Sequence, residues 1–210
     1  MTIKAREKCT KETLKEELDR ELQRACRHFF NIDHQYHAIH LLKEKLKPDE
    51  VLLHVDFSEN YNAKHGSEIQ SMHFGASGRQ ISLHTGVAYI EKTVYSFCLV
   101  SDCLKHGPAA ILAHLKPVIE YKKSISGKPL QGIHFLTDGP TIQYRNKANF
   151  FYWAKEIFDS GFEHSTWNFL EVSHGKGAAD GIGAAIKRAA DHQVTVKGHN
   201  ITCTKELYIY

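Results

Sequence analysis

The clearest hydrophobic pattern in the chain is the run from Val51 to Val55, where mostly apolar side chains occupy consecutive positions. Because alternate side chains of a strand point to opposite faces, such a run predicts a strand that is covered on both sides. Asp56 follows the run directly, and the polar residues 58–60 come next. Ligands of open α/β sheets bind where strands leave the sheet, so Asp56 is a candidate for chemistry at that edge. The alternative is that Asp56 only caps a turn.

The residues before this strand have the period of helices. Thr13 and Glu16 have the spacing of a capping box, and apolar residues then recur at every fourth position, which predicts a helix over about 13–30. The stripe consists of Leu14, Leu18 and Leu22. Asp33 predicts the cap of a second helix, which ends before Pro48. The inner face of this second helix consists of Ile39, Leu42 and Leu46. We therefore interpret residues 1–48 as an N-terminal helical extension.

The remaining residues, 49–210, alternate between strand and helix patterns. The runs Gln80–Ile90 and Val94–Ser101 are separated by a few residues and predict an antiparallel hairpin. Two further short strands are predicted at 133–137 and 166–172. Helices are predicted from Pro108, over 146–160 and over 178–190. Crossovers through helices imply parallel strand pairs, and the hairpin implies antiparallel ones. The sequence predicts an α/β fold with a mixed five-stranded sheet and helices on both faces.

Three aspartates recur at equivalent places in this pattern. Asp56 and Asp138 each end a predicted strand, and Asp180 lies in the first turn of the last predicted helix. If the two strands are neighbours, both strand-terminal carboxylates emerge at one edge, and Asp180 can lean across it. Glu171, on the last predicted strand, is the alternative third acid. His54 and His134 share strand faces with the aspartates, and we interpret both as core histidines.

Three converging carboxylates require cations, because like charges raise the pKa of one another. Ligand sets made only of oxygen favour Mg²⁺ or Mn²⁺ over zinc. Two such ions can activate the attacking oxygen and stabilise the leaving oxygen of a phosphodiester. The aspartates therefore favour metal-dependent chemistry on a phosphodiester.

Three segments, HVDFSENY, FLTDGPTIQYRN and WNFLEVSHGKGAADGIGAAIKR, occur in this order over about residues 50–192. Together they resemble transposase-derived proteins with an RNase H-like catalytic core, the DDE/D class that includes retroviral integrases. The resemblance implies catalytic and metal-ligating roles for Asp56, Asp138 and Asp180, two Mg²⁺ (or Mn²⁺) ions, and cutting or joining of DNA by in-line attack.

Two other functions remain open at this point. One is a catalytically silent descendant of such a transposase that binds nucleic acid or protein. The other is a 3′–5′ exonuclease on the same fold, which is disfavoured because Ser58 occupies the place of the second acid in the D-x-E pattern of those enzymes.

Two segments are candidates for contacts with DNA. The glycine-rich segment SHGKGAADG contains His174 and Lys176, and it allows close approach of its backbone to a phosphate. The second segment follows Asp138 and consists of Gln143, Tyr144, Arg145 and Asn146. A tight glycine-rich turn and a helix-capping loop are the respective structural alternatives.

Composition changes this picture little. The net charge of +3 is small, so any nucleic-acid surface is local. No apolar run is long enough to span a membrane, and no apolar segment follows Met1 in the manner of a secretion signal. The five cysteines include no C-x-x-C pair, which favours a reduced protein. We therefore expect an intracellular, nuclear protein with DNA as its partner and no contact with membranes, and we leave a homo-oligomer open.

Overall fold

The computed structural model describes residues 8–67, 78–139, 143–171 and 177–209. Its strands are β1 (Glu50–Asn62), β2 (Gln80–Ile90), β3 (Thr93–Ser101), β4 (Gly132–Asp138) and β5 (His164–Leu170). Its helices are α1 (Lys11–Glu44), α2 (Pro108–Ile125), α3 (Lys147–Asp159), α4 (Ala178–Thr195) and α5 (Thr204–Ile209). The predicted hairpin of β2 and β3 is confirmed, whereas α5 has no counterpart among the predicted elements.

The strands form one mixed sheet in the order β3-β2-β1-β4-β5. Strand β2 is antiparallel to both β1 and β3, whereas β1, β4 and β5 are mutually parallel. This arrangement is that of the RNase H-like fold, and it confirms the predicted mixed five-stranded sheet. Strand β1 lies at the centre, as expected for the most apolar run of the chain.

Side chains of β1 alternate between two covered faces. Val51, Leu53, Val55 and Phe57 face a core completed by α2 and α3. Leu52, on the other face, packs with Leu136 and Leu170, and the carboxyl-terminal part of α1 packs against these three side chains. Further along the same sheet, α4 and α5 cover a third group of apolar side chains, which includes Tyr61, Ile81 and Leu83. The predicted helices on both faces are therefore present.

Strand β1 is longer than the sequence predicts. It continues through Asp56 to Asn62, because β2 pairs with it as far as Gln80 opposite Asn62. The parallel partner β4 pairs only with Glu50–His54. Asp56 is therefore not the end of the strand. It lies two residues past the last position where β1 is paired on both sides.

Helix α1 corrects the prediction of two helices. One helix runs from Lys11 to Glu44, and the side chain of Thr10 caps it by accepting a hydrogen bond from the backbone of Thr13. No glycine or proline interrupts these 34 residues, so nothing stops the helix at Asp33. The apolar stripe of the first predicted helix is exposed: Leu14 is 60%, Leu18 55% and Leu22 51% accessible.

Candidate functional site

The first predicted site residue, Asp56, lies on β1 on the face covered by α1 and α4. Its neighbour across the antiparallel pair is Thr85, whose hydroxyl donates a hydrogen bond to the Asp56 carbonyl oxygen at 3.2 Å. The side chain of Asp56 is half-buried. Because β4 no longer pairs with β1 at this position, the carboxylate lies beside a gap in the hydrogen-bond ladder.

Asp138 is the last residue of β4 and pairs with Leu170 of β5. One of its carboxylate oxygens, Oδ1, is enclosed and makes no hydrogen bond within the described part of the chain. Buried carboxylate oxygens are normally satisfied by donors or by cations. Asp138 thus has an oxygen that a cation could use.

Asp180 lies in the first turn of α4, where its Oδ2 accepts a hydrogen bond from the backbone N–H of Gly177 at 3.2 Å. One turn further, α4 lies directly against β1. A Cβ atom added to Gly183 would lie only 2.7 Å from the Cβ of Ser58. The absence of a side chain at Gly183 therefore lets the first turns of α4 approach the strand that carries Asp56.

The three aspartates interact electrostatically. Burial, followed by the negative charges of Asp138 and Asp180, raises the pKa of Asp56 to about 7, although a hydrogen bond from the Phe57 backbone opposes the shift. Burial and then the charge of Asp180 also raise the pKa of Asp138. The three carboxylates therefore destabilise one another when ionised, and a bound dication would relieve this repulsion. Their oxygen-only donor set suits Mg²⁺ or Mn²⁺.

Glu171, the alternative third acid, is held by α1. Its carboxylate lies 3.2 Å from Nδ1 of His28, and its backbone N–H donates to the side chain of Gln35 at 2.7 Å. The charges that raise the pKa of Asp56 belong to Asp138 and Asp180. Glu171 thus interacts with the N-terminal helix rather than with Asp56.

The segment predicted to contact DNA after Asp138 separates into different roles. Tyr144 has no exposed surface, and its hydroxyl lies 3.1 Å from Nε2 of His84, so the prediction that its side chain contacts DNA is wrong. Asn146 caps α3 by accepting a hydrogen bond from the backbone of Asn149 at 3.0 Å. Arg145 is exposed. His174 and Lys176 lie outside the described residues.

A group of histidines that sequence reasoning did not single out lies on the opposite face of β1 from Asp56. Phe57 stacks between the rings of His84 and His106, with centroid distances of 4.1 and 4.0 Å. The Nδ1 atom of His114 lies 3.3 Å from the Nδ1 atom of His84. Burial, and then the neighbouring His114 and His106, lower the pKa of His84 to about 3. This layer of uncharged aromatic side chains packs against β1 and Tyr144 on the face of the strand opposite to Asp56.

An open groove of about 470 Å³ runs along the end of β1 beyond Asp56. Its walls are mostly polar and consist of Phe57, Ser58, Glu59, Asn60, Asn62, Gln80, His106 and Gln143. A groove with amide, hydroxyl and imidazole groups can form hydrogen bonds with a polar ligand.

A second group of ligand-type side chains lies at the other end of the parallel strands. Glu50, His134 and His164 have donor atoms that all lie within 4.8 Å of one another. The sequence predicts a core position for His134 and contains no pattern that singles out Glu50 or His164. No local motif unites them, because strand pairing alone brings these residues together.

Among the helices in the described ranges, none is both long and apolar enough to cross a membrane.

Comparison with known proteins gives one family and two solved structures. A family profile described as a domain of unknown function (DUF8701) matches residues 35–210. No curated protein matches the chain. A structure described as a Mos1 transposase paired-end complex with left transposon end is 11% identical, with a TM-score of 0.45, over 85% of this chain and 51% of that chain. A structure described as the mariner Mos1 paired end complex with Mg is 12% identical, with a TM-score of 0.39, and the match covers 86% of this chain and 58% of that chain. The chain thus spans little more than half of these structures.

Proposed function

The chain belongs to the DUF8701 family, and we propose that it is a metal-dependent polynucleotidyl transferase or nuclease domain of the DDE/D type. Its substrate class is DNA, and its reaction is the cutting or joining of phosphodiesters. Asp56, Asp138 and Asp180 are the proposed catalytic acids.

One observation carries this proposal: the charges of Asp138 and Asp180 both act on Asp56, whose pKa rises to about 7. An arrangement of acids that repel one another costs folding free energy unless a cation or a proton compensates it. Such costs are concentrated at functional sites. The Oδ1 atom of Asp138, which makes no hydrogen bond within the described residues, supports the same conclusion.

Each aspartate has a distinct role in the proposed reaction. Two bound Mg²⁺ or Mn²⁺ ions supply activation of the attacking oxygen and stabilisation of the leaving oxygen. Asp56 and Asp138 would hold the ions from neighbouring strands of a sheet that is covered on both faces. Asp180 would contribute the third carboxylate, which the hydrogen bond from the Gly177 backbone orients at the start of α4.

DNA would lie along the groove beyond Asp56. Gln143 contributes to the wall of this groove, and the exposed Arg145 carries a positive charge two residues further along the chain. Contacts with phosphates release counterions, so the affinity for DNA should fall steeply with salt. His174 and Lys176 remain proposed phosphate contacts on the basis of the sequence.

The test is a cleavage and strand-joining assay with Mn²⁺ on pre-nicked and single-stranded DNA. Asp56→Asn should lower the rate on the order of 100-fold or more, because a neutral amide is a poor ligand for a hard dication. Asp102→Asn is the matched control, since Asp102 is an exposed acid that pairs with Arg79. The control should keep the wild-type rate.

Equal rates for the wild type and Asp56→Asn would contradict the proposed reaction. In that case, salt-dependent DNA binding without turnover would identify the chain as a catalytically silent binding module.

A further inference from the structure

Glu50, His134 and His164 meet at the end of the parallel strands opposite to the three aspartates. Glu50 is the first residue of β1, and His164 is the first residue of β5. Gly132 of β4 pairs with both of them, and His134 follows two residues later on the same face. Three neighbouring strands thus each contribute one ligand-type side chain to one place.

The distances in this cluster suit a single tetrahedral metal ion. The Oε1 atom of Glu50 lies 3.0 Å from Nε2 of His164, and its Oε2 atom lies 3.6 Å from Nε2 of His134. Metal–ligand bonds of about 2.0–2.2 Å in a tetrahedral site separate the ligand atoms by roughly 3.3–3.5 Å. The two separations involve different oxygens of Glu50 and lie on either side of this range, and the three donor atoms lie within 4.8 Å of one another, so small side-chain movements would complete the site.

His134 supplies the observation that points to a ligand. Its Nε2 is buried and makes no hydrogen bond to any residue that the structure describes, and 3.6 Å is too long for one to Glu50. Its other ring nitrogen, Nδ1, lies 2.8 Å from the hydroxyl of Thr166. When Nδ1 donates its hydrogen to Thr166, Nε2 carries the lone pair, as in histidines that ligate metals.

Gly132 provides the space for the cluster. A Cβ atom at this position would lie 2.7 Å from Cγ of Glu50 and 2.8 Å from Cε1 of His164. Any larger residue would therefore push these two side chains apart. The glycine lies between the two ligand-bearing neighbours in the strand register.

Lys47 is a positively charged residue that opposes the binding of a cation at this cluster. Its ammonium group lies 3.2 Å from Oε1 of Glu50, but its side chain is 66% exposed. Because it is exposed, the lysine side chain can move into solvent when a metal binds.

We propose that Glu50, His134 and His164 bind one zinc-class dication that joins the beginnings of β1, β4 and β5. Two imidazole nitrogens and one carboxylate select zinc over Mg²⁺. His164 is partly exposed, so water completes the coordination from the solvent side. This site is separate from the aspartates, which provide only oxygen ligands.

The test is calorimetric titration of the full chain with Zn²⁺ at neutral pH in excess Mg²⁺. Wild type should bind one Zn²⁺ per chain, and Co²⁺ in its place should give the visible absorption of a tetrahedral site. His164→Ala should weaken zinc binding on the order of 100-fold, because it removes a direct ligand. His192→Ala, which changes an exposed histidine near the end of α4, should bind like wild type.

Two outcomes would overturn the proposal. One is the absence of zinc binding and of the tetrahedral Co²⁺ band in wild type. The other is binding that survives in His164→Ala but disappears in Asp56→Asn, which would assign the ion to the aspartates. Circular dichroism checks that His164→Ala is folded, and His164→Asn replaces it if it is not.

Discussion

The two ends of the parallel strand pair β1 and β4 hold buried acids in opposite electrostatic states. At one end, burial and the charges of Asp138 and Asp180 raise the pKa of Asp56 to about 7. At the other end, hydrogen bonds from Lys47 and His164 overcome burial and hold the pKa of Glu50 at about 2. Burial raises the pKa of both acids, but the net shifts are opposite, because one acid faces acids and the other faces donors. Protein groups compensate the charge of Glu50 when no metal is bound, whereas Asp56 depends on a proton or a cation from outside.

The largest expected effect comes from removing the repulsion around Asp56. Its pKa in the folded state is above the 3.8 of an ordinary aspartate, so the folded state binds this proton more tightly. The stabilisation is complete below pH about 4 and is lost as the pH rises through about 7. In EDTA at pH 8, Asp56→Asn should therefore be more stable than wild type, with an upper bound of about 4 kcal/mol.

Urea unfolding of both proteins at pH 5 and pH 8 measures this difference. Mg²⁺ should stabilise wild type at pH 8 more than it stabilises Asp56→Asn. A variant that is less stable than wild type at both pH values would mean that the carboxylates do not strain the fold.

Glu50 should show the reverse pH dependence. Its pKa in the folded state is below the ordinary 4.5, so its contribution to stability is present above that pH and is lost as the pH falls towards 2. Glu50→Gln should remove up to about 3 kcal/mol of stability at neutral pH and flatten this acid limb. Unfolding free energies measured between pH 2 and pH 6 decide the matter, and an unchanged acid limb in the variant would contradict the assignment to Glu50.

Alanine substitutions at two glycines, one at each end of the sheet, should have smaller effects on the free energy of unfolding. Gly132 makes room for the Glu50 cluster, and Gly183 lets α4 approach Ser58 beside the aspartates. Gly132→Ala and Gly183→Ala should each cost about 1–2 kcal/mol through overpacking. At position 183 the gain in helix propensity, roughly 1 kcal/mol, offsets part of that cost.

The two substitutions should differ in their metal responses. Gly132→Ala should weaken zinc binding and leave Mn²⁺-dependent cleavage unchanged, and Gly183→Ala should do the reverse. Ser58→Gly should rescue Gly183→Ala because it removes the atom that the new methyl group meets. Loss of both zinc binding and Mn²⁺-dependent cleavage in either variant would show that the two ends of the sheet are not independent.

Much of the fold could be predicted because it depends on local periodicity. Which side chains face the core determines the apolar run at Val51–Val55 and the alternation in the hairpin. Both patterns can be recognised in the sequence. Helix α1 was divided wrongly at Asp33, since an aspartate favours a cap only where tertiary contacts or a breaker end the previous helix. The burial of Tyr144 could not be predicted from the sequence, because it depends on His84 and Phe57, which are distant along the chain.

The order of the strands along the chain and the positions of Asp56 on β1 and Asp138 on β4 were determined by the sequence itself, because hydrophobic period and chain direction are local properties. Only the tertiary structure decided that Glu50, His134 and His164 form a cluster. Its members are 84 residues apart (134 − 50) and then 30 apart (164 − 134), and no spacing rule connects them. They meet because Gly132 pairs with Glu50 on one side and with His164 on the other. Strand register is set by the packing of whole faces of the sheet, so it has no signature at the three positions that it brings into contact.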